Sequence, residues 1–326
     1  MAETRASSRE IGASPATLAR VAMLYYREGL TQGEIARRVG VSRASVANWL
    51  KHAREQNIVE IRIQGESFTT SPLARALTER LGIADAYVAL DDREPLPAEA
   101  MRARTARLGA QAMHDLLTDG DRLGVAWGET VLRIAQSFPP AELPGLTVHQ
   151  VTGSMYARHL FAAESCAIEI ARRLGAGCRT LHAPAVVSTA ELAERLRSEP
   201  VIAEQLGQFR GLTKVLFSVG DVSDTTTLVS AGIAAPADVA WYRERGAVAV
   251  LVAHFIDAEG QVMDGPVLDR MIGISPQVLR TVPTRMLVVC GRERLAAVRA
   301  LLRGGYVTHL VIDEAAARAL LDAAEG

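Results

Sequence analysis

The chain has almost no lysine. Of its 36 basic residues only Lys51 and Lys214 are lysines, so chemistry that needs a Schiff base or a phosphate-gripping lysine has two candidate positions. Cysteine is scarce too. Cys166, Cys178 and Cys290 lie far apart with no C-x-x-C pair, which argues against a disulfide framework or zinc ribbon and points to reduced thiols. No run approaches the ~20 apolar residues needed to span a bilayer. The longest candidate, AVAVLVAHFI at 247–256, suits a single buried strand. The N-terminus is polar and lacks the charged-then-apolar order of a signal peptide. Neither G-x-x-x-x-G-K-[ST] nor G-x-G-x-x-G occurs, so nucleotide chemistry is not indicated. His114, His149, His159, His182, His254 and His309 show neither metal-ligand spacing nor a nucleophile partner. These absences predict a soluble cytoplasmic protein with no cofactor, no metal site and no membrane partner.

What is present suggests two parts. At 326 residues with 49% hydrophobic content the chain can form two domains with a sizeable core. Its net charge of −1 is unevenly spread: residues 1–65 hold ten Lys/Arg against six Asp/Glu, leaving −5 on the remainder. A mildly basic head on an acidic body fits a nucleic-acid-binding module joined to something else.

The head reads as helices. PATLARVAMLYYREG (15–29) puts Leu18, Val21, Ala22, Leu24 and Tyr25 on one stripe and stops at Gly29. Thr31 and Glu34 form a T-x-x-E capping box, and Ile35, Ala36 and Val39 give the following helix its apolar face. Gly40 supplies the left-handed turn, Val41 the apolar plug, and Ser42 the cap of a third helix. There Val46, Leu50 and Ala53 share one face, while Arg43, Ala44, Ser45, Ala47, Asn48 and Lys51 share the other. This is the spacing of a helix-turn-helix, whose second helix enters the major groove. Arg43 suits guanine O6/N7 and Asn48 suits adenine N6/N7. Thr31, Gln32, Ser42 and Lys51 are placed for phosphates, with Ser45 on the same exposed face. Trp49 adjoins the Val46/Leu50 face and either packs in the core or stacks on a base. NIVEIRI (57–63) alternates as a short strand, with Arg62 either beside DNA or simply on a covering strand.

Beyond Ser71 the texture changes. A helix over 73–82 leads into DAYVAL (85–90) and a loop at 91–97, after which strands and helices alternate. Strand-like runs are LGVAW (123–127), LTVHQV (146–151), VLFSV (215–219), RMLVVC (285–290) and THLVID (308–313). Helical runs cover 98–117, 130–138, 161–174, 292–302 and 314–322. The pattern predicts an α/β fold, a doubly wound, mostly parallel sheet with helices on both faces. Sites in such sheets lie at the carboxyl ends of strands. Five junctions qualify: VAWGETV (125–131), VTGSM (151–155), SVGDVSDTTTL (218–228), HFIDAEGQV (254–262) and VVCGRERL (288–295). In the first, Gly128 either opens the backbone to a ligand, with Thr130 and the first-turn amides suiting a phosphate or sugar hydroxyl, or simply makes an ordinary tight turn. In the fourth, Asp257 starts a turn completed by Gly260, which turn chemistry alone also explains. In the last, Arg292 and Arg294 stand against the helix dipole, so they either bind an anion or are simply solvated.

The head and this order of junctions resemble the SorC-type sugar-responsive bacterial transcriptional regulators. LTQGEIARRVGVSRASVANWLKHAREQNIVEIRI matches their DNA-binding segment, and GVAWGETV their G-V-x-W-G-x-T stretch. GAVAVLVAHFIDAEG and RALLRGGYVTHLVIDEAAARALL are similar to two later segments, and the likeness runs from about Leu18 to Leu321. The resemblance implies a body like the sugar-phosphate isomerases that senses a sugar, sugar phosphate or polyol without converting it. It implies a homo-oligomer, dimer or tetramer, bound to operator DNA. Carried onto this sequence, Trp127, Gly128, Glu129, Thr130, Gly153 and Ser154 line the effector pocket and Asp257 accepts effector hydroxyls. Arg294 stands where many members have lysine, which excludes an imine there but still allows a bidentate phosphate contact. Cys290-Gly291 replaces a Gly-Gly, and GAVAVL lacks the family's Gly-Asp. The division expected is a helix-turn-helix domain over 1–65, a linker helix within 66–84, and a sugar-effector-binding and oligomerisation domain over 85–326. Two rivals stand beside this reading: an isomerase- or deaminase-like enzyme with an appended head, for which Glu129, Asp221 and Asp257 are candidate acids, and a sigma-factor-like head that only contacts polymerase.

Overall fold

A computed structural model describes residues 13–55, 58–59, 71–91, 96–155, 163–224 and 226–322. The chain divides into two units, 1–66 and 67–326. Residues 60–63 of the expected strand, Arg62 among them, lie outside the described residues, as do His159, the start of the helix expected from 161, and 92–95 of the loop at 91–97.

In the first unit, α1 (Pro15–Tyr26), α2 (Gln32–Val39) and α3 (Arg43–Glu55) share one core, built from Leu18, Val21, Leu24, Ile35, Val46, Leu50 and Ala53. The helix ends are set locally. The Thr31 amide donates to Glu34 Oε2 at 2.8 Å and the Glu34 amide to Thr31 Oγ1 at 3.3 Å, so two of the orphan donors at the start of α2 are satisfied. Gly40 closes α2 at φ 75°, a left-handed conformation that glycine adopts without a Cβ clash. Ser42 Oγ accepts the Ser45 amide at 3.0 Å and starts α3. Past α3, the Ile58 and Val59 amides both donate to the Ala53 carbonyl, and the two side chains pack on the head core.

The second unit alternates strands with helices. Its strands are β1 (Asp85–Ala89), β2 (Arg122–Val125), β3 (Thr147–Gln150), β4 (Gly177–Arg179), β5 (Lys214–Phe217), β6 (Val219–Gly220), β7 (Ala247–Leu251), β8 (His254–Asp257), β9 (Thr284–Val288) and β10 (His309–Asp313). The helices run α4 (Pro72–Leu81), α5 (Ala98–Leu116), α6 (Glu129–Ser137), α7 (Ala163–Arg173), α8 (Ala190–Ser198) and α9 (Pro200–Gln208). They continue with α10 (Thr227–Ser230), α11 (Pro236–Glu244), α12 (Pro276–Thr281), α13 (Leu295–Arg303) and α14 (Glu314–Asp322). Seven strands form a parallel sheet in the order β1-β10-β9-β5-β2-β3-β4. Alternate residues of each strand serve opposite faces: Leu216 joins α5, α6 and α7 on one side, while Val215 and Phe217 join α4, α13 and α14 on the other. That two-sided burial is why these strands read as continuous apolar runs.

Three expectations need correction. AVAVLVAHFI is an antiparallel hairpin, β7 and β8, which with β6 forms a second sheet of three strands. Its turn residues Val252 and Ala253 both have positive φ, 42° and 72°, where two-residue hairpin turns ordinarily carry Gly, Asn or Asp. Without that turn signal the apolar run cannot be told from one strand. The helix at 73–82 belongs to the body, because α4 buries Ala74 and Leu77 and packs on β1 and α14. Finally, the helix expected from 292 begins as a single 3₁₀ turn, Arg292–Arg294, before α13. Among the described residues no helix is long and apolar enough to cross a membrane.

Candidate functional site

Two surfaces carry the predicted residues, one in each unit. On α3, Arg43, Asn48 and Lys51 are exposed, opposite the buried Val46, Leu50 and Ala53. The first turn of α3 holds no acid, and His52 and Arg54 stand in its last turn. Thr31 is exposed and Gln32 half-buried at the start of α2. Ser42 and Ser45 hydroxyls lie 2.9 Å apart, so Ser45 shares the cap that fixes the helix start. Trp49 is half-buried against the head core.

In the body, the chain order sets the place of the second surface. From β2 the strands proceed outward to β3 and β4, then return to β5 on the other side of β2 and continue to β9 and β10. The connections after β2 and β5 therefore diverge, opening the crevice in which ligands of doubly wound sheets bind. A cavity of about 300 Å³ lies there. Its walls come from the segment after β2 (Ala126–Thr130), that after β5 (Ser218–Asp221), the start of α10, the β7–β8 turn, and the segment after β9. Gly128, at φ 115° and ψ 170°, begins α6 in a conformation open to few side-chain-bearing residues, and no side chain caps that helix.

Charge around the cavity is paired. Arg133 donates to Glu129 Oε1 at 2.7 Å and reaches Glu99 Oε1 at 2.7 Å. Hydrogen bonding to Glu129 outweighs partial burial and holds the guanidinium above its ordinary pKa. Arg294 donates to Asp221 Oδ2, and Asp221 Oδ1 also accepts the Ser223 amide at 3.0 Å. Burial pushes the Asp221 carboxyl up, but the bonds from Ser223 and Arg294 prevail and hold it below the ordinary carboxylate range. The Thr226 hydroxyl donates to the Asp221 carbonyl at 2.9 Å, fixing the loop before α10. Burial, with Asp313 nearby, pushes the Cys290 thiol up to about 11, so it is a neutral wall group at physiological pH.

The structure thus brings Trp127, Gly128, Glu129, Thr130 and Arg294 to one cavity. Three other predicted residues are elsewhere. Asp257 closes its own turn: Oδ1 accepts the amides of Glu259 at 3.0 Å and Gln261 at 2.8 Å, and the residue is not on the cavity wall. Gly153 is a packing glycine, since a Cβ there would come within 2.5 Å of the Pro184 carbonyl oxygen. Ser154 is exposed and bridges to the 183–185 segment through its backbone. Arg294 is neither a bare anion site nor a solvated side chain, because Asp221 holds it. Sequence reasoning missed Arg102, Arg133 and the Val252-Ala253 turn as cavity walls. For Arg133 a signal existed, its i,i+4 spacing from Glu129. For Arg102 and the turn none did, because only the sheet's crossovers bring them to β2.

Comparison with known proteins fits this geometry. Residues 66–322 match the family described as "Putative sugar-binding domain", and residues 15–56 match sigma-70 region 4, a helix-turn-helix. The transcriptional regulator YjhU of Escherichia coli K12 is 33% identical over 301 residues, covering 91% of this chain and 92% of that protein. The deoxyribonucleoside regulator of Bacillus subtilis 168 is 30% identical, over 92% of this chain and 96% of its own length. In fold, the chain is similar to the full-length sorbitol operon regulator SorC of Klebsiella pneumoniae. That likeness has a TM-score of 0.79 at 22% identity and covers 95% of this chain and all of that one. A DNA-reading head joined to a sugar-binding body, with relatives matched along nearly the whole chain, places this protein in the SorC-type family of sugar-responsive transcriptional regulators.

Proposed function

We propose that the exposed face of α3 reads operator bases through Arg43 and Asn48, and that a sugar-derived effector in the cavity controls this reading. Thr31, Gln32, Ser42, Ser45 and Lys51 then face the DNA backbone, where contacts position the protein without specifying sequence. Trp127, Gly128, Glu129, Thr130 and Arg294 hold the effector. The observation that carries the reading is a hydroxyl- and charge-lined cavity at the sheet's switch point, in a chain that also displays an Arg/Asn face on a capped second helix.

The protein works as a homo-oligomer, dimer or tetramer, in the cytoplasm. Effector and operator are coupled because the effector binds one arrangement of heads better than another; equal affinity for both would shift nothing. No catalysis is assigned to the cavity. A general acid or base works best with a pKa near the working pH, and Asp221 is held in the opposite direction. Gel-shift titrations with operator DNA test the whole reading. Operator affinity is expected to change when a carbohydrate that raises the melting temperature is added. Indifference to every such carbohydrate, or turnover of a sugar phosphate by the purified protein, rejects it.

A further inference from the structure

Three guanidiniums line the cavity, those of Arg102, Arg133 and Arg294, against three carboxylates, those of Glu129, Asp221 and Glu293. Two of the arginines are held in direct ion pairs: Arg133 lies between Glu129 and Glu99, and Arg294 is bound by Asp221. Arg102 is exposed and stands 4.0 Å from Glu99. A phosphate ester entering here would meet no net positive charge, and beside Asp221 it would have to displace an ionised carboxylate or lie next to it. A sugar or polyol meets the reverse situation. Each hydroxyl both donates and accepts, so neighbouring hydroxyls fit a carboxylate and a guanidinium side by side. The half-buried Trp127 ring offers the apolar surface that a sugar's C–H face needs.

We propose that the Asp221–Arg294 pair sets effector class, so that the cavity takes an uncharged, hydroxyl-rich effector, a free sugar or polyol, and turns phosphate esters away. This rests on the reading of the cavity as the effector site. The pair is anchored, since Ser223 holds the carboxylate and Thr226 the carbonyl of the same residue. Arg294 in turn sits at the cap of α13. Removing the carboxylate would leave the Arg294 guanidinium facing the cavity together with the Thr130 hydroxyl and the uncapped start of α6, a set of donors suited to phosphate.

The probe is inorganic phosphate, titrated into the full chain at constant ionic strength and read by thermal unfolding and calorimetry. Ligand that binds only the folded protein raises its melting temperature. Wild type is expected to show no phosphate-specific rise. Asp221→Asn, which keeps an acceptor for Ser223, is expected to bind phosphate at least about ten-fold more tightly, and Asp221→Ser to show the same gain should the amide disturb the loop. Adding Arg294→Gln to either is expected to abolish the gain. Phosphate binding by wild type as tight as by the variants, or no gain in either variant, overturns the proposal. A second arm compares free sugars and polyols with their phosphate esters on wild type. Stabilisation by an uncharged compound but not its ester supports the assignment, and an ester that binds more tightly than its parent overturns it. A panel in which nothing binds removes the effector reading of the cavity, while the phosphate titrations still decide what the pair excludes.

Discussion

The exposed face of α3 comes from thirteen consecutive residues, whereas the body's cavity draws on segments scattered from Arg102 to Arg294. In the head, each functional side chain is oriented by neighbours within four or five positions: Thr31 by Glu34, Ser45 by Ser42, Arg43 by the start of its own helix. In the body, Trp127 shares a cavity wall with Val252 and Arg294 meets Asp221 only because parallel strands need long crossovers. The head is therefore vulnerable to local changes, and the cavity to changes anywhere that shift the sheet.

The sharpest way to break that contrast lies at the sheet's other end. Lys214 and Asp121 form a 2.7 Å ion pair with side chains only 13% and 8% exposed. Asp121→Ala leaves a buried ammonium unpaired and is expected to destabilise the body by about 3–5 kcal/mol, read by urea unfolding. The cavity should lose ligand binding although Asp121 is not on its wall. Burial opposes ionisation of Asp121, but Lys214, Thr213 and Thr118 prevail and hold its pKa at about 2, against 3.8 ordinarily. A depressed carboxyl stabilises the fold above its unfolded pKa. This contribution, roughly 2 kcal/mol, is present above pH ~4 and lost as pH falls toward 2. Asp121→Ala should remove that acid limb from the stability profile.

Next in size are the two side chains proposed to read bases. Arg43→Ala and Asn48→Ala are each expected to cost about 1–3 kcal/mol of discrimination against a wrong base, measured by gel shift on base-substituted operators. Neither should alter ligand binding by the body. If both leave sequence preference untouched, α3 is not the reader. Thr31→Ala removes the capping box at the start of α2 and should cost the head about 1 kcal/mol, with the body's unfolding unchanged. The smallest effects sharpen the comparison further. Lys51→Ala should weaken all DNA sequences alike and lower the salt slope by about 1. Ala253→Gly relieves a positive φ at the cavity wall and is expected to stabilise the body by up to about 1 kcal/mol. A loss of stability there would mean that the turn conformation costs nothing.

Much of this architecture was legible in the residues alone. Thr31, Glu34, Gly40 and Ser42 announce the turn of the head because capping and left-handed geometry act within four residues. Leu123–Val125 and Leu310–Ile312 announce a two-sided sheet because strands buried on both faces lose their polar alternation. The 125–131 junction stands out as a candidate cavity wall, since glycine followed by a helix start leaves backbone amides available, and residues 126–130 do line the cavity. Asp257 shows where such reading stops. A strand-end aspartate before a glycine looks the same whether it reaches a ligand or ties off its own turn, and here it does the latter.

The sequence by itself determined the helix-turn-helix, the alternation of strands and helices and the class of protein they compose, because caps, turns and periodicity are short-range properties of the chain. Only the tertiary structure decided that Val252 and Ala253 turn a hairpin into the cavity, and that Asp221 occupies Arg294. Both depend on strand order, which brings β2, β5 and β9 together across some 160 residues and lies beyond the reach of any local pattern.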